Sequence, residues 1–231
     1  MEVRREEMME KGKSELRIAM EELSLPCPGD DEDEQQQQQQ QQRQKRSSTM
    51  DLLCVSKHII HVLDEIGPTL LVLRQDIQQN VQRLQDVLAR DPSKYSSLTA
   101  IVTEEVEEGT SKKANSCTRA ILWLARSINF SKHLLEGLLN TRDQSSLREI
   151  VEKAYITTLK PWHGWISSAA YRVAQKLIPE KEIFIALLMG NCQEFEVFTK
   201  DVKVLLSIVQ PLIEEANAVL VKHNLDKLKS T

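Results

Sequence analysis

Apolar residues recur at helical spacing through most of the chain. Between residues 70 and 88 they fall on one stripe at 100 degrees per residue: Leu70, Leu73, Ile77, Val81, Leu84 and Leu88. Residues 197–221 are denser in Val, Leu and Ile, which predicts a buried helix with Pro211 as the place of a bend. Gly, Pro and Asn clusters divide the rest into about seven or eight helices. The pattern predicts an all-α domain with two layers of helices.

The first 48 residues lack such a pattern. Residues 30–46 consist of an acidic run, eight consecutive glutamines and a basic stretch, which cannot bury enough apolar area to offset the entropy of ordering. A short charged helix around Leu16, Met20 and Leu23 would end at Pro26. We therefore predict a disordered acidic and polyglutamine tail over 1–48 and a folded domain over 49–231.

Charge and composition narrow the function classes. Residues 1–48 carry 12 acidic and 8 basic side chains, so they hold the whole net charge of -4, and the rest is balanced. Because phosphate contacts need a surplus of Lys and Arg, nucleic acid is not an expected partner. The four cysteines lie far apart with no C-x-x-C pair, so no metal or cofactor is expected. The N-terminus does not resemble a signal peptide, and we expect a cytosolic monomer.

One polar row runs beside the first apolar stripe. Asp76, Asn80 and Arg83 are spaced i, i+4 and i+7, so their side chains leave one side of the helix. An acceptor, an amide and a guanidinium in a row can bind a ligand with N–H, hydroxyl or phosphate groups. A solvated polar face with a weak ion pair is the alternative.

A second row, Arg119, Trp123 and Arg126, has the same spacing. Trp offers a flat ring to a sugar or cation, and Arg offers a fork to an anionic oxygen. Alternatively, Trp123 belongs to the core and the arginines extend to water.

The third cluster is Lys160 to Trp165, with tryptophans on either side of His163. A single histidine is more often structural than functional. Trp165, at a helix start, is a candidate for the boundary between water and membrane, where an amphipathic ring is most stable.

Together these segments resemble the glycolipid transfer protein family, which includes the ceramide-1-phosphate carriers. The matching stretches are 76–83, 119–126 and 163–165, in family order, and the likeness covers about residues 50–225. The resemblance implies an all-α sandwich of two helix layers around a flexible apolar lipid pocket. It further implies binding and transfer of a ceramide-based sphingolipid between membranes, with transient contact with the membrane surface.

The resemblance also implies residue roles. Asp76 would accept the ceramide amide N–H, and His163 would donate to the acyl carbonyl. Asn80, Arg83 and Trp123 would contact the headgroup.

Two further roles follow from the same likeness. Trp165 would dock on the membrane, and Arg119 is similar to the phosphate-binding branch of the family. Asn80 and Trp123 resemble the sugar-binding branch, so the headgroup stays open between phosphate and sugar. The polar end, 226–231, does not match the family's usual closing segment.

Two other classes compete with a carrier. Asp76, His163 and either Ser127 or Ser131 could form a hydrolytic triad, but the chain has no G-x-S-x-G turn, so we expect no enzyme and no catalytic residues. A lipid sensor or helical adaptor that binds sphingolipid without transferring it is the other alternative.

Overall fold

The computed structural model describes residues 14–24, 47–140, 145–190, 192 and 194–230. All regular elements in these ranges are helical. The α-helices are α1 (Glu15–Ser24), α2 (Ser48–Ile66), α3 (Leu71–Arg90), α4 (Leu98–Glu107), α5 (Cys117–Leu139), α6 (Leu147–Thr158), α7 (Trp165–Gln175), α8 (Lys181–Met189) and α9 (Phe195–Lys222). Short 3-10 helices at Pro68–Leu70 and Lys160–Trp162 precede α3 and α7.

Local sequence signals set several helix ends. Ser47 begins α2 by accepting the backbone N–H of Met50 through its hydroxyl. Ser146 and Glu149 form a reciprocal capping box at the start of α6. Gly67 ends α2 at a φ of 106°, a backbone conformation that few other residues adopt.

Helix α5 lies at the centre of the domain, in contact with α2, α3, α4, α6 and α9. Its start is fixed from α4: the Glu105 carboxylate accepts the backbone N–H groups of Cys117 and Thr118 at 2.8 and 2.7 Å. A carboxylate at this end also complements the helix dipole. The central helix therefore has a fixed starting point, two residues before Arg119.

Helices α5 and α6 approach closely at Gly137. A Cβ atom at this position would overlap the side chain of Ile150 on α6. Glycine therefore permits the close packing of the two helices at this position.

Helix α9 is the predicted buried helix, and it continues through Pro211 to Lys222. Among the described residues it is the one helix long and apolar enough to cross a membrane by length and composition. Its buried residues recur at helical spacing from Phe198 to Leu220, and the helix packs against α5. This one-sided burial is that of a core helix.

Residues 15–24 correct the prediction of a disordered tail over 1–48, because they form α1. Leu16, Met20 and Leu23 are buried, and the helix contacts α2, α8 and α9. The buried Ser14 hydroxyl donates to a carboxylate oxygen of Asp201 on α9 at 2.8 Å.

The reason for the error is physical. Three apolar side chains at helical spacing are too few to order an isolated segment, but they are enough when other helices provide an apolar surface. The acidic run and the glutamine run of the predicted tail lie outside the described residues.

Candidate functional site

A large cavity opens between the helices. Its volume is about 890 Å³, and apolar side chains from most of the helices form its walls. This volume lies near the upper end of the range for small-molecule sites, roughly 300 to 1,000 Å³. Leu16 and Leu23 of α1 contribute to the lining, so the helix that the sequence prediction missed is part of the cavity wall.

All six predicted headgroup and amide residues line this one cavity. They come from three separate parts of the chain: Asp76, Asn80 and Arg83 from α3, Arg119 and Trp123 from α5, and His163 from the turn before α7. The rings of Trp123 and His163 lie 5.7 Å apart between centroids. The structure thus brings the predicted residues to a common site, while their contacts with a lipid stay predictions.

The polar row of α3 is held by its own hydrogen bonds. The buried Asn80 side chain donates from Nδ2 to the backbone carbonyl of Asp76 at 2.9 Å. Its Oδ1 accepts from Nη1 of Arg83 at 3.1 Å. Asn80 therefore orients Arg83 and keeps one N–H for a ligand.

Asp76 faces the cavity, and its carboxylate is not engaged in a hydrogen bond within the described part of the chain. Desolvation by the surrounding protein raises its pKa above the ordinary value, and the charge of Arg83 opposes this shift. Because the charge of Arg83 offsets this desolvation only in part, an N–H donor from a ligand would further stabilise the charged carboxylate.

His163 is positioned by a residue that the sequence analysis did not select. The Tyr155 hydroxyl lies 3.3 Å from Nδ1 of His163, and the two rings are 5.4 Å apart between centroids. Burial lowers the pKa of His163, and the nearby charge of Arg126 lowers it further, so the imidazole is neutral at pH 7.

The contact allows either group to be the donor, so it is compatible with both neutral tautomers of His163. With the Tyr155 hydroxyl donating to Nδ1, the hydrogen of a neutral ring is on Nε2, which is then a donor for an acyl carbonyl. Tyr155 is eight residues before His163, across a turn, and no helical period in the sequence connects the two.

Arg126 is buried, so the alternative in which this arginine extends to water is wrong. Its guanidinium lies 4.8 Å from the centroid of the Trp123 ring and 4.3 Å from that of Trp162. It donates to the backbone carbonyls of Asp226 and Leu228 at 2.7 and 2.8 Å. Burial lowers the pKa of Arg126 to about 10, which leaves it charged at neutral pH.

Residues 226–230, which we call the C-terminal segment, lie beside the polar rim. Arg119 donates from Nη2 to the carbonyl of Lys229 at 2.8 Å. The Ser230 hydroxyl accepts the backbone N–H of Gly164 at 2.7 Å, and the Ser230 N–H donates to the carbonyl of Trp162 at 2.9 Å. Ser230 also lines the cavity. The segment thus ties α5 to the turn that carries His163, although its sequence gave no match to a closing segment.

Trp165, the predicted docking residue, is 82% exposed at the start of α7. Ile166 and Val173 on the same helix are exposed and line the cavity. Val72 and Leu73 at the start of α3 are also exposed and also line it. None of the α7 residues is buried. Exposed apolar side chains from two helices therefore border the cavity.

The comparisons with known proteins agree with this architecture. Residues 47–190 match the family model described as glycolipid transfer protein. Glycolipid transfer protein 2 of Arabidopsis thaliana is 40% identical over the full length of both chains. Glycolipid transfer protein 3 of Arabidopsis thaliana is 42% identical over 78% of this chain and 76% of its own length.

A solved structure shows the same fold at low identity. It is a point mutant of the Arabidopsis accelerated-cell-death 11 protein, complexed with C12 ceramide-1-phosphate. The two chains superpose with a TM-score of 0.70 at 18% identity, over 93% of this chain and 98% of the other.

Helices around an apolar cavity with a polar rim define a lipid-binding domain. The chain belongs to the glycolipid transfer protein family. This confirms the resemblance on which the sequence analysis relied, together with the all-α, two-layer helical fold class.

Proposed function

We propose that this chain binds a ceramide-based sphingolipid and transfers it between membranes without changing it chemically. One observation carries the proposal: Asp76 and His163, distant in sequence, line the same apolar cavity of about 890 Å³. A carboxylate and an imidazole N–H donor fit the N–H and C=O of a ceramide amide, while the cavity accepts the chains.

The physical need for such a carrier is large. Bringing roughly 30 chain carbons into water would cost on the order of 24 kcal/mol at about 0.8 kcal/mol per methylene. Free diffusion of the lipid is therefore negligible, and a protein cavity replaces one apolar environment with another. Membership of a family described as glycolipid transfer protein supports transfer as the outcome of binding.

The proposal is tested in two steps on the full chain. Native mass spectrometry identifies the lipid that co-purifies, and exchange of a labelled ceramide-based lipid between donor and acceptor vesicles measures transfer. Rapid exchange is expected. Tight binding with slow release would instead support the lipid sensor, and no binding of any ceramide-based lipid would contradict both.

Hydrolysis is disfavoured by the contacts of His163. In a Ser-His-Asp triad a carboxylate orients the histidine through one ring nitrogen, whereas here the Tyr155 hydroxyl contacts Nδ1 of His163. Release of free fatty acid from a ceramide lipid incubated with the protein would contradict this interpretation.

We also propose that the chain works as a cytosolic monomer that contacts membranes transiently through the apolar surface around Trp165. Trp165→Ala is expected to slow vesicle exchange about tenfold, because burying a large apolar side chain contributes about 1.5 kcal/mol or more. Sedimentation with lipid vesicles measures the docking directly.

The matched control is Phe195→Ala, which removes another exposed aromatic side chain, one that does not line the cavity. This variant is expected to sediment with vesicles like the wild type. Unchanged vesicle binding of Trp165→Ala would refute the docking role.

Arg119 offers a test of the headgroup. Arg119→Leu is expected to reduce transfer of ceramide-1-phosphate about tenfold more than transfer of glucosylceramide, because a phosphate loses an ion pair as well as a hydrogen bond, whereas an uncharged sugar loses only a hydrogen bond. Exchange assays with the two lipids at equal chain length measure the ratio.

Arg148→Leu, at an exposed position outside the cavity lining, is the control for loss of one positive charge. Equal losses for the two lipids in Arg119→Leu would show that this arginine only holds the C-terminal segment through Lys229.

A further inference from the structure

Two serines of α5 face the cavity with unused hydroxyl groups. Ser127 and Ser131 are spaced i and i+4, and both line the cavity. Within the described ranges, neither hydroxyl makes a hydrogen bond with a protein group.

Some other helical hydroxyls of the described residues bond to the preceding turn, although the buried hydroxyls of Thr49 and Thr118 do not. Ser56 donates to the carbonyl of Leu52 at 2.7 Å, and Thr158 donates to that of Ala154 at 2.7 Å. Such bonding to the preceding turn is the ordinary local solution for a helical serine or threonine. Ser127 and Ser131 do not adopt it, so their hydroxyl groups stay available to the contents of the cavity.

A third hydroxyl lies on α7. The Tyr171 Oη atom is buried without a hydrogen-bond partner in the part of the chain that the structure describes, and the residue lines the same cavity. Its ring stacks on Tyr155 at 3.4 Å between centroids and an interplanar angle of 6°, and Tyr155 contacts His163. A buried hydroxyl without a partner requires an explanation.

The order of side chains along α5 places the serine hydroxyls just inside the polar rim. Arg119 and Trp123 come first, Ser127 follows about 6 Å further along the helix axis, and Ser131 follows by the same distance. Ile128 and Phe130 line the cavity between the two serines, and Lys132, Leu134 and Leu135 line it after them. With a lipid amide held at the rim by Asp76 and His163, the serines would stand beside the first carbons of the lipid chain.

We propose that the cavity selects ceramide-based lipids that carry an extra hydroxyl close to the amide, on the acyl chain or on the sphingoid base. This inference rests on the proposed function, since it assigns the position of the amide to Asp76 and His163. A hydroxylated chain offers the serines and Tyr171 a hydrogen-bond partner in an apolar surround. A lipid chain without the extra hydroxyl would bury the serine and tyrosine hydroxyls without a hydrogen-bond partner. The site would therefore bind the lipid that lacks the hydroxyl more weakly.

The experiment compares matched lipids on the full chain. Vesicle exchange is measured for a 2-hydroxyacyl ceramide lipid and its non-hydroxy counterpart with the same headgroup and chain length, and for a pair that differs by one hydroxyl on the base. The expected result is a preference of about fivefold for the hydroxylated member of at least one pair, the size of one net hydrogen bond. Equal rates in both pairs would overturn the inference.

Substitutions test which residues cause the preference for the hydroxylated lipid. Ser127→Ala with Ser131→Ala, and separately Tyr171→Phe, are read out as the ratio of the two rates, with thermal unfolding as the check on folding. At least one of them is expected to bring the ratio close to one, whereas Ser168→Ala, outside the cavity lining, keeps the wild-type ratio. A ratio that survives all three substitutions combined would overturn the inference. Failure to transfer any member of either pair would instead count against the proposed function.

Discussion

Replacement of Asp76 by valine is expected to lower sphingolipid transfer by about two orders of magnitude, with little change in the free energy of unfolding. The carboxylate faces the cavity and makes no hydrogen bond within the described residues, so its removal is expected to leave the helix intact. A ligand N–H would lose a charge-assisted hydrogen bond worth about 3 kcal/mol. Vesicle exchange of several sphingolipids and thermal unfolding measure the two effects.

The same helix offers a matched control. Asp86 is exposed, accepts a hydrogen bond from Gln82 and does not line the cavity, so Asp86→Val should retain wild-type transfer. Retention of most activity by Asp76→Val would contradict the site.

The raised pKa of Asp76 adds a pH dependence to the wild type. Amide binding favours the charged carboxylate, so affinity is full above the pKa of the empty site and falls as pH drops through it. Because burial raises the pKa of Asp76, the loss of affinity should occur at a higher pH than it would with an ordinary aspartate. Asp76→Val should lack this component of the pH profile.

Replacement of Arg126 by methionine is expected to lower the free energy of unfolding by about 3 kcal/mol, or about 6 to 12 °C in the melting temperature. Two charge-assisted hydrogen bonds to the C-terminal segment disappear, together with the contacts to the rings of Trp123 and Trp162. Methionine fills part of the space but donates nothing to the two carbonyls.

Arg126→Lys tests the geometry of this contact separately from its charge. An ammonium group cannot reach two carbonyls with the planar fork of a guanidinium, so only part of the stability should return. Calorimetry of the three proteins gives the comparison, and Arg148→Met at an exposed position controls for the substitution itself. A melting temperature unchanged in Arg126→Met would show that the C-terminal segment is held by other contacts.

The sequence predicts the parts of the site that lie along single helices. Asp76, Asn80 and Arg83 share one face because their spacing matches the helical period, and the same holds for Arg119 and Trp123. Helical spacing alone therefore predicts which of these residues share a face, and these faces line the cavity.

The contacts between residues on different elements could not be predicted from helical spacing. The Tyr155 hydroxyl meets His163 across a turn, and Arg126 bonds backbone carbonyls about a hundred residues later. Every residue has a backbone carbonyl, so the sequence does not show which carbonyl accepts a hydrogen bond from a distant side chain. The packing of helix α1 on the domain was not predicted for a related reason, since the order of this helix depends on the helices that it contacts.

The close approach at Gly137 has a consequence for lipids of different size. Because α5 and α6 pack closely there, separating them to admit a longer chain would lose packing between the two helices. Helix α7 buries none of its residues, so it can move with little loss of packing. Tolerance of acyl length is therefore expected to be a property of α7, and substitutions along its inner face should shift the longest chain accommodated.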